Sequence, residues 1–238
     1  MNVSFLIPVF SEVESLKKTI SILEETCKGY IHEILLLMHR DSIPACKELC
    51  RRLTENRPHI KCHKQAQYPG QGYALREGFQ IASGTHILMM CSDLETNPYD
   101  AIRLIKKMEE KSPDLVIASR WAKGSRFEGY GVFKVFLNFV FQHLFSFLFA
   151  TKVNDFTYLY KIASTKLFKS IHWEGSGHEL ALETTLKPLA QGKRVEQIST
   201  TWVARSEGKS NQHLWKYLKH VKLGFKIYFQ KLFLGQIT

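Results

Sequence analysis

An α/β protein, with a mostly parallel central sheet and helices on both faces, is predicted by three features of the sequence. Short apolar runs alternate with amphipathic, helix-period segments over about half of the 238 residues, a pattern that packs as a parallel sheet between two helical layers. The run Ile87-Leu88-Met89-Met90 is apolar at every position, as a strand covered on both faces is, and it is too short for an average helix. A hydrophobic fraction of 45% supplies a core for a chain of this length.

Residues 3–9 read as the first strand, ending at Pro8-Val9-Phe10. Ser11 stands three residues before Glu14, a capping-box pattern, and Leu16, Ile20 and Leu23 recur on one face behind it. A second strand over 34–38 leaves through His39-Arg40-Asp41 toward Pro44 and a helix carrying Leu49 and Leu53. A short strand is expected within 59–63. Gly70-Gln71-Gly72 then opens a helix bearing Leu75 and Phe79, which Gly84 is predicted to end with a left-handed turn. After the central strand, Asn97 is placed as a cap and Pro98 at the first position of a helix with Ile102, Ile105 and Met108 on one face. A strand over 114–118 follows. Beyond Arg120 the pattern changes: Gly124, Gly129 and Gly131 punctuate a loop, and residues 132–150 form a phenylalanine-rich run interrupted by Lys134, Asn138, Gln142 and His143.

The chemistry concentrates where the central strand stops, at Ser92-Asp93-Leu94-Glu95. Carboxylates there sit at the carboxyl end of a strand, where open α/β sheets bind ligands. Two residues apart, Asp93 and Glu95 suit a divalent cation that grips a diphosphate; the plainer reading is that they solubilise a loop. A formal charge of +11 points to an anionic partner: nucleotide phosphate, lipid headgroup or nucleic acid. No basic cluster with a nucleic-acid-binding motif is present, so nucleic acid is not the expected partner.

Five cysteines, odd in number and without zinc spacing, indicate a reducing cytosol and no structural disulfides. Cys46 and Cys50, one turn apart, read as a helix face. Residues 1–10 lack the basic start of a secretory signal. The 132–150 run is too polar at Asn138, Gln142 and His143 for a spanning helix. It is expected as an amphipathic helix against the protein or in a bilayer interface, or as a core helix. Residues 215–234 mix five lysines with aromatics, which suits an anionic membrane surface or packing on the domain.

Several motifs stand in a fixed order: Ile7-Pro8-Val9-Phe10-Ser11-Glu12, Gly70-Gln71-Gly72-Tyr73-Ala74, Met90-Cys91-Ser92-Asp93-Leu94-Glu95, Ala118-Ser119-Arg120-Trp121, Asp155-Phe156-Thr157, Glu183 and Arg205-Ser206-Glu207-Gly208-Lys209-Ser210. In this order the chain resembles glycosyltransferase family 2, and within it the dolichyl-phosphate mannosyltransferase-like branch. That branch moves a sugar from a nucleotide donor to a polyprenyl phosphate. The resemblance implies a Rossmann-like GT-A fold, taken here over residues 1–210 with the basic aromatic helical tail read over 211–238, and inversion at the anomeric carbon.

It also implies roles for single residues. Pro8, Phe10, Glu12, Gly72 and Asp93 would line the nucleotide sugar, and Asp93 with Glu95 would hold Mg²⁺ or Mn²⁺. Asp93, Arg120, Arg205 and Asp155 would serve the chemistry, and Arg126, Lys134 and Asn138 the acceptor phosphate. The chain departs from the family at Met38-His39, where paired aspartates are usual, and at Cys91, which replaces the first metal-motif aspartate by a thiol unsuited to a hard cation.

A sugar hydroxyl as acceptor requires a base such as Asp155 or Glu183. A phosphate monoester, largely ionised at neutral pH, requires placement and charge neutralisation instead. The expected function is therefore sugar transfer to a polyprenyl phosphate by a cytoplasmic protein peripheral on the cytoplasmic face of a membrane, where a membrane-anchored partner is possible. The alternatives are transfer to a saccharide hydroxyl and a catalytically reduced nucleotide-sugar-binding relative.

Overall fold

The computed structural model describes residues 1–66, 68–129, 131–204 and 214–234. Seven strands form one sheet: β1 (Val3–Val9), β2 (Ile31–Met38), β3 (Ile60–Lys64), β4 (His86–Met89), β5 (Leu115–Ser119), β7 (Lys161–Ser164) and β8 (Val195–Ser199). Their spatial order is β3-β2-β1-β4-β7-β5-β8, and every pairing is parallel except those of β7. A separate parallel ribbon joins β6 (Arg126–Glu128) to β9 (Thr201–Val203).

Helical layers cover both faces, and β1 shows why its strands are apolar throughout. Val3, Phe5, Ile7 and Val9 pack with Leu16, Ile20 and Leu23 of α1 (Glu14–Thr26), with α2 (Pro44–Glu55) and with α4 (Asp100–Lys111). Leu6 turns to the opposite layer, with Leu75 and Phe79 of α3 (Gln71–Ile81), Phe168 of α6 (Thr165–Ser170) and Leu182 of α7 (Glu179–Ala190). The predicted strands and helices of the first half are all present, with β2, β3, β4 and β5 displaced by one to three residues from their expected limits.

Three local expectations are corrected. The capping box does not form: α1 begins at Glu14 with Val13 at its cap and no side-chain cap bond, and Glu12 folds back to accept the Phe10 and Ser11 N–H groups at 2.8 and 2.9 Å. Helix α4 starts at Asp100, two residues beyond the expected Pro98. Asn97 instead accepts the Tyr99 N–H at 3.2 Å in a side-chain turn that precedes the helix. Gly84 is not left-handed. It is a glycine because a Cβ would stand 2.8 Å from Asn2 O and Ser4 Oγ, and α3 ends earlier, where the Ala82 N–H meets Gly78 O.

Strand β7, absent from the sequence reading, enters antiparallel between β4 and β5. A lysine stands at its first position. Lys161 is nevertheless wholly buried, its ammonium donating to Ala181 O at 2.7 Å and Thr185 Oγ1 at 2.6 Å.

The phenylalanine-rich run is α5 (Val132–Leu148), and its polarity is inverted. Only Gln142 and Phe145 are buried, whereas Val132, Phe133, Phe136 and Phe147 are 85%, 71%, 59% and 83% exposed. Gln142 donates to Thr157 Oγ1 at 2.9 Å and Asn138 Oδ1 at 3.3 Å and accepts the Phe156 N–H at 2.8 Å, so its burial is compensated. Helix α8 (Leu214–Leu234) packs beside it, with Ile227 buried and Gly224 held against Phe145 too closely for a side chain. Among the described residues no helix is long and apolar enough to cross a membrane.

Candidate functional site

Strand order reverses between β1 and β4, and a crevice outside the carboxyl ends of the strands is the place where such sheets bind ligands. Pro8 marks where the two strands part. Their pairing ends at Leu6 opposite Met89, and the Met90 N–H reaches Leu6 O at 3.2 Å. By strand alternation Pro8 turns toward the same side, where a missing N–H breaks no ladder bond. Phe10 leaves β1 and meets His39 from the end of β2 edge to face, with ring centroids 5.2 Å apart. Glu12, through its bonds to the Phe10 and Ser11 amides, shapes that exit.

Gly72 lies in the first turn of α3 against the loop 174–177. Its N–H donates to Ser176 O at 3.1 Å, and a Cβ would fall 2.5 Å from Ser176 C and 2.6 Å from Gly175 O. That loop is pinned by two carboxylates. Glu183, fully buried, accepts the Glu174 and Gly175 N–H groups at 2.8 and 2.7 Å and pairs with Lys187 at 2.8 Å. Glu179 accepts the Ser176 and Gly177 N–H groups, each at 3.0 Å. Glu183 is thus engaged in holding a loop.

After β4 the chain turns sharply at Asp93-Leu94-Glu95. Leu94 adopts φ 60°, a left-handed conformation rare for leucine, and Asp93 Oδ1 accepts the Glu95 N–H at 3.2 Å. Asp93 is 5% exposed. Gln71, next to Gly72, donates to Cys91 Sγ at 3.7 Å and so ties α3 to this segment.

From the end of β5, Arg120 meets Asp155 in a two-pronged ion pair. Its Nε lies 2.8 Å from Oδ2, its Nη2 2.9 Å from Oδ1, and its own backbone N–H donates to Oδ2 at 2.9 Å. Thr157 Oγ1 accepts from Nη2 at 3.0 Å. Asp155 is fully buried.

Tyr158 joins the two halves of the site. The Arg120 guanidinium stacks 4.7 Å from its ring centroid, and its hydroxyl donates to Glu95 O at 3.1 Å. Burial pushes the phenol pKa far up, which keeps the hydroxyl a donor. The acidic turn of Asp93 and Glu95 and the Arg120–Asp155 pair are therefore connected through one aromatic residue that the sequence reading passed over. Its only signal was its place directly after Asp155-Phe156-Thr157.

Trp121, quoted in a sequence motif but given no role there, is a second such residue. Its Nε1–H donates to Asn138 Oδ1 at 2.9 Å, and its ring lies 4.9 Å from Phe127 and 5.5 Å from Phe139. Phe127 continues toward Trp202, which forms a bridge with Thr96 next to Glu95. This aromatic row links α5 to the acidic turn. Of the remaining residues expected at an acceptor phosphate, Arg126 and Lys134 are exposed, on β6 and in the first turn of α5, while Asn138 is engaged by Trp121. Arg205 and the 206–210 motif lie outside the described residues.

No group of three or more His, Cys, Asp or Glu side chains gathers around a possible ion among the described residues. Two carboxylates in one tight turn do fit a hard cation that takes its other ligands from phosphate oxygens and water, as Mg²⁺ commonly does. Asp93 and Glu95 are the residues that would hold it.

Residues 4–171 match the profile of Glycosyl transferase family 2. Among curated proteins, the chain is 23% identical over 226 residues to a dolichol-phosphate mannosyltransferase of Pyrococcus furiosus, covering 93% of this chain and 63% of that one. It is 32% identical over 111 residues to an undecaprenyl-phosphate 4-deoxy-4-formamido-L-arabinose transferase of Salmonella paratyphi B, covering 46% of this chain and 34% of the relative. Among solved structures, glucosyl-3-phosphoglycerate synthase of Mycobacterium tuberculosis, with Mn²⁺, uridine diphosphate and glucosyl-3-phosphoglycerate, superposes with a TM-score of 0.71 at 14% identity. That superposition covers 97% of this chain and 79% of the other, a likeness of fold.

Proposed function

The chain belongs to glycosyl transferase family 2 and carries the GT-A fold, and from that premise we propose that it is an inverting glycosyltransferase that moves a sugar from a nucleotide-diphosphate sugar to a polyprenyl phosphate at a membrane surface. An acceptor phosphate oxygen attacks the anomeric carbon from the face opposite the leaving group. The bond from that carbon to the diphosphate breaks, and the nucleoside diphosphate departs with the electron pair.

The observation that carries this reading is the state of the two candidate bases. Asp155 and Glu183 are both fully buried, the first locked to Arg120 and the second to Lys187 and two backbone amides. Neither is presented to a sugar hydroxyl. An ionised phosphate needs no base, and placement with charge neutralisation suffices. Asp155 acts as a positioning residue that fixes the Arg120 guanidinium.

Each remaining part has a role in this scheme. The donor occupies the β1–β4 crevice, bordered by Pro8, Phe10, Glu12 and Gly72. A divalent cation held by Asp93 and Glu95, when bound, offsets the charge that builds on the departing diphosphate. Arg126 and Lys134, together with Arg205, attract the acceptor phosphate. The outward apolar face of α5 lies in the interfacial layer of the bilayer, where the isoprenoid chain is. The protein is then peripheral on the cytoplasmic face, with room for a membrane-anchored partner.

The test is a radiolabelled transfer assay with a panel of nucleoside diphosphate sugars, a short polyprenyl phosphate in detergent, and Mg²⁺ or Mn²⁺. A lipid-linked product is expected. Transfer to a soluble saccharide but not to the lipid would replace the acceptor by a hydroxyl. Donor-induced thermal stabilisation, about 2.7 kcal/mol at a hundredfold excess over Kd, with no product from any acceptor would mark a catalytically reduced relative.

A further inference from the structure

Three thiols meet at the outer edge of the sheet, away from the cleft. Cys46 and Cys50 stand one turn apart on the inward face of α2, both buried, in the same apolar cluster as Leu53 and Ile60. Ile60 points from β3 into that layer, so Cys62, two residues further along the strand, lies on the same face. There the sheet ends, and Cys62 is exposed. Cys50 stands between the other two, close enough for each to act on its thiol. The cluster therefore runs from a buried thiol, through a second buried thiol, to one in solvent.

The electrostatics differ along this row. The neighbouring Cys46 thiol, then Cys62 and burial, push the Cys50 thiol up. The Cys50 thiol beside it pulls the Cys62 thiol down, against desolvation. An exposed thiol stabilised as thiolate by a neighbouring S–H is a reactive one, and a second cysteine in contact is placed to resolve its oxidised form.

We propose that Cys62 and Cys50 form a dithiol oxidised reversibly by hydroperoxides, with Cys62 reacting first and Cys50 closing the bond. The Cys62 thiolate attacks a peroxide oxygen. The S–O bond forms as the O–O bond breaks, and the leaving hydroxide or alkoxide takes up a proton, leaving Cys62 as a sulfenic acid. Cys50 then attacks that sulfur, the S–S bond forms, and the hydroxyl departs as water with the Cys50 proton. The two thiols are oxidised by two electrons and the peroxide is reduced to water or to water and an alcohol. In a reducing compartment such a bond is transient and serves sensing rather than stability.

The test treats the full chain under native conditions with hydrogen peroxide, blocks the remaining thiols, and maps the products by mass spectrometry. The expected result is loss of two hydrogen masses per chain, a Cys50–Cys62 cross-linked peptide, and reversal by dithiothreitol. Cys62→Ser abolishes the loss, Cys46→Ser retains it, and Cys50→Ser stops Cys62 at a sulfenic acid that dimedone captures. Oxidation of Cys91 ahead of Cys62, a disulfide between two chains, or passage of wild-type Cys62 to the sulfinic acid would overturn the proposal. The wild-type mapping needs no variant to fold, and no outcome depends on sugar transfer.

Discussion

The two halves of this molecule solve the problem of burial in opposite ways. Up to β5, apolar side chains are inside, and the exposed large ones, Phe10, Ile43, Tyr68, Ile81 and Tyr99, are scattered. Beyond β5, Arg120, Gln142, Asp155, Lys161, Glu183 and Lys187 are buried, while α5 displays a contiguous row of phenylalanine and valine. Buried charge is costly unless paired and hydrogen-bonded. In the second half nearly every such group has a named partner within the site or its supporting loop. The first half keeps a largely apolar interior and brings the acidic turn to its edge, and the second gives up stability to hold polar groups in fixed places beside an apolar exterior.

The comparison can be broken most directly at Asp155. Asp155→Ala leaves Arg120 without its carboxylate in a buried site and is expected to destabilise the fold by about 3–5 kcal/mol and to abolish transfer, as read by urea unfolding and the lipid-product assay. Unchanged stability would mean that the pair carries no structural weight.

The next effect is at Lys161. Burial, with Arg120 adding and Asp155 opposing, lowers its amine to about 7, against about 10.4 in an unfolded chain. Between those values the unfolded state holds a proton that the folded state lacks, so wild-type stability rises with pH across the window, by at most about 1.4 kcal/mol per pH unit. Lys161→Met removes that rise. Denaturant titrations of both proteins at pH 7 and pH 9.5 should show wild type gaining on the variant at the higher pH, and parallel behaviour would contradict the assignment.

Among the carboxylates buried in the first half, Glu33 shows an effect of the opposite sign. Burial raises the Glu33 carboxyl, but hydrogen bonds from Lys61, Ser83 and Ser4 outweigh it and hold the pKa at about 2. Its stabilisation, on the order of 3 kcal/mol, is complete above about pH 4.3 and is lost as pH falls toward 2. Glu33→Gln should therefore be less stable than wild type at pH 6, and the gap should close by pH 2 in thermal melts.

The smallest stability effect belongs to the exterior of α5. Phe133→Ser with Phe147→Ser should change unfolding free energy by no more than about 0.5 kcal/mol per site, yet reduce sedimentation with anionic vesicles. Undiminished vesicle binding would leave α5 without its proposed role.

The sequence by itself determined the α/β class, the strands buried on both faces, the acidic stop after β4 and the family resemblance, because these are written in local periodicity and in motif order. It also led to a capping box and a left-handed Gly84 that the chain does not use. Local patterns there compete with contacts made by residues far along the chain, such as Gly84 against Asn2 and Ser4. Only the tertiary structure decided that β7 divides the parallel sheet and that Tyr158 joins Arg120 to the acidic turn. It alone locked Asp155 to Arg120, and turned α5 with Gln142 inward and its phenylalanines outward. Each of these depends on pairing between segments tens of residues apart, where the partner's position, and not the residue's own neighbours, sets whether a charge or an aromatic ring can be buried.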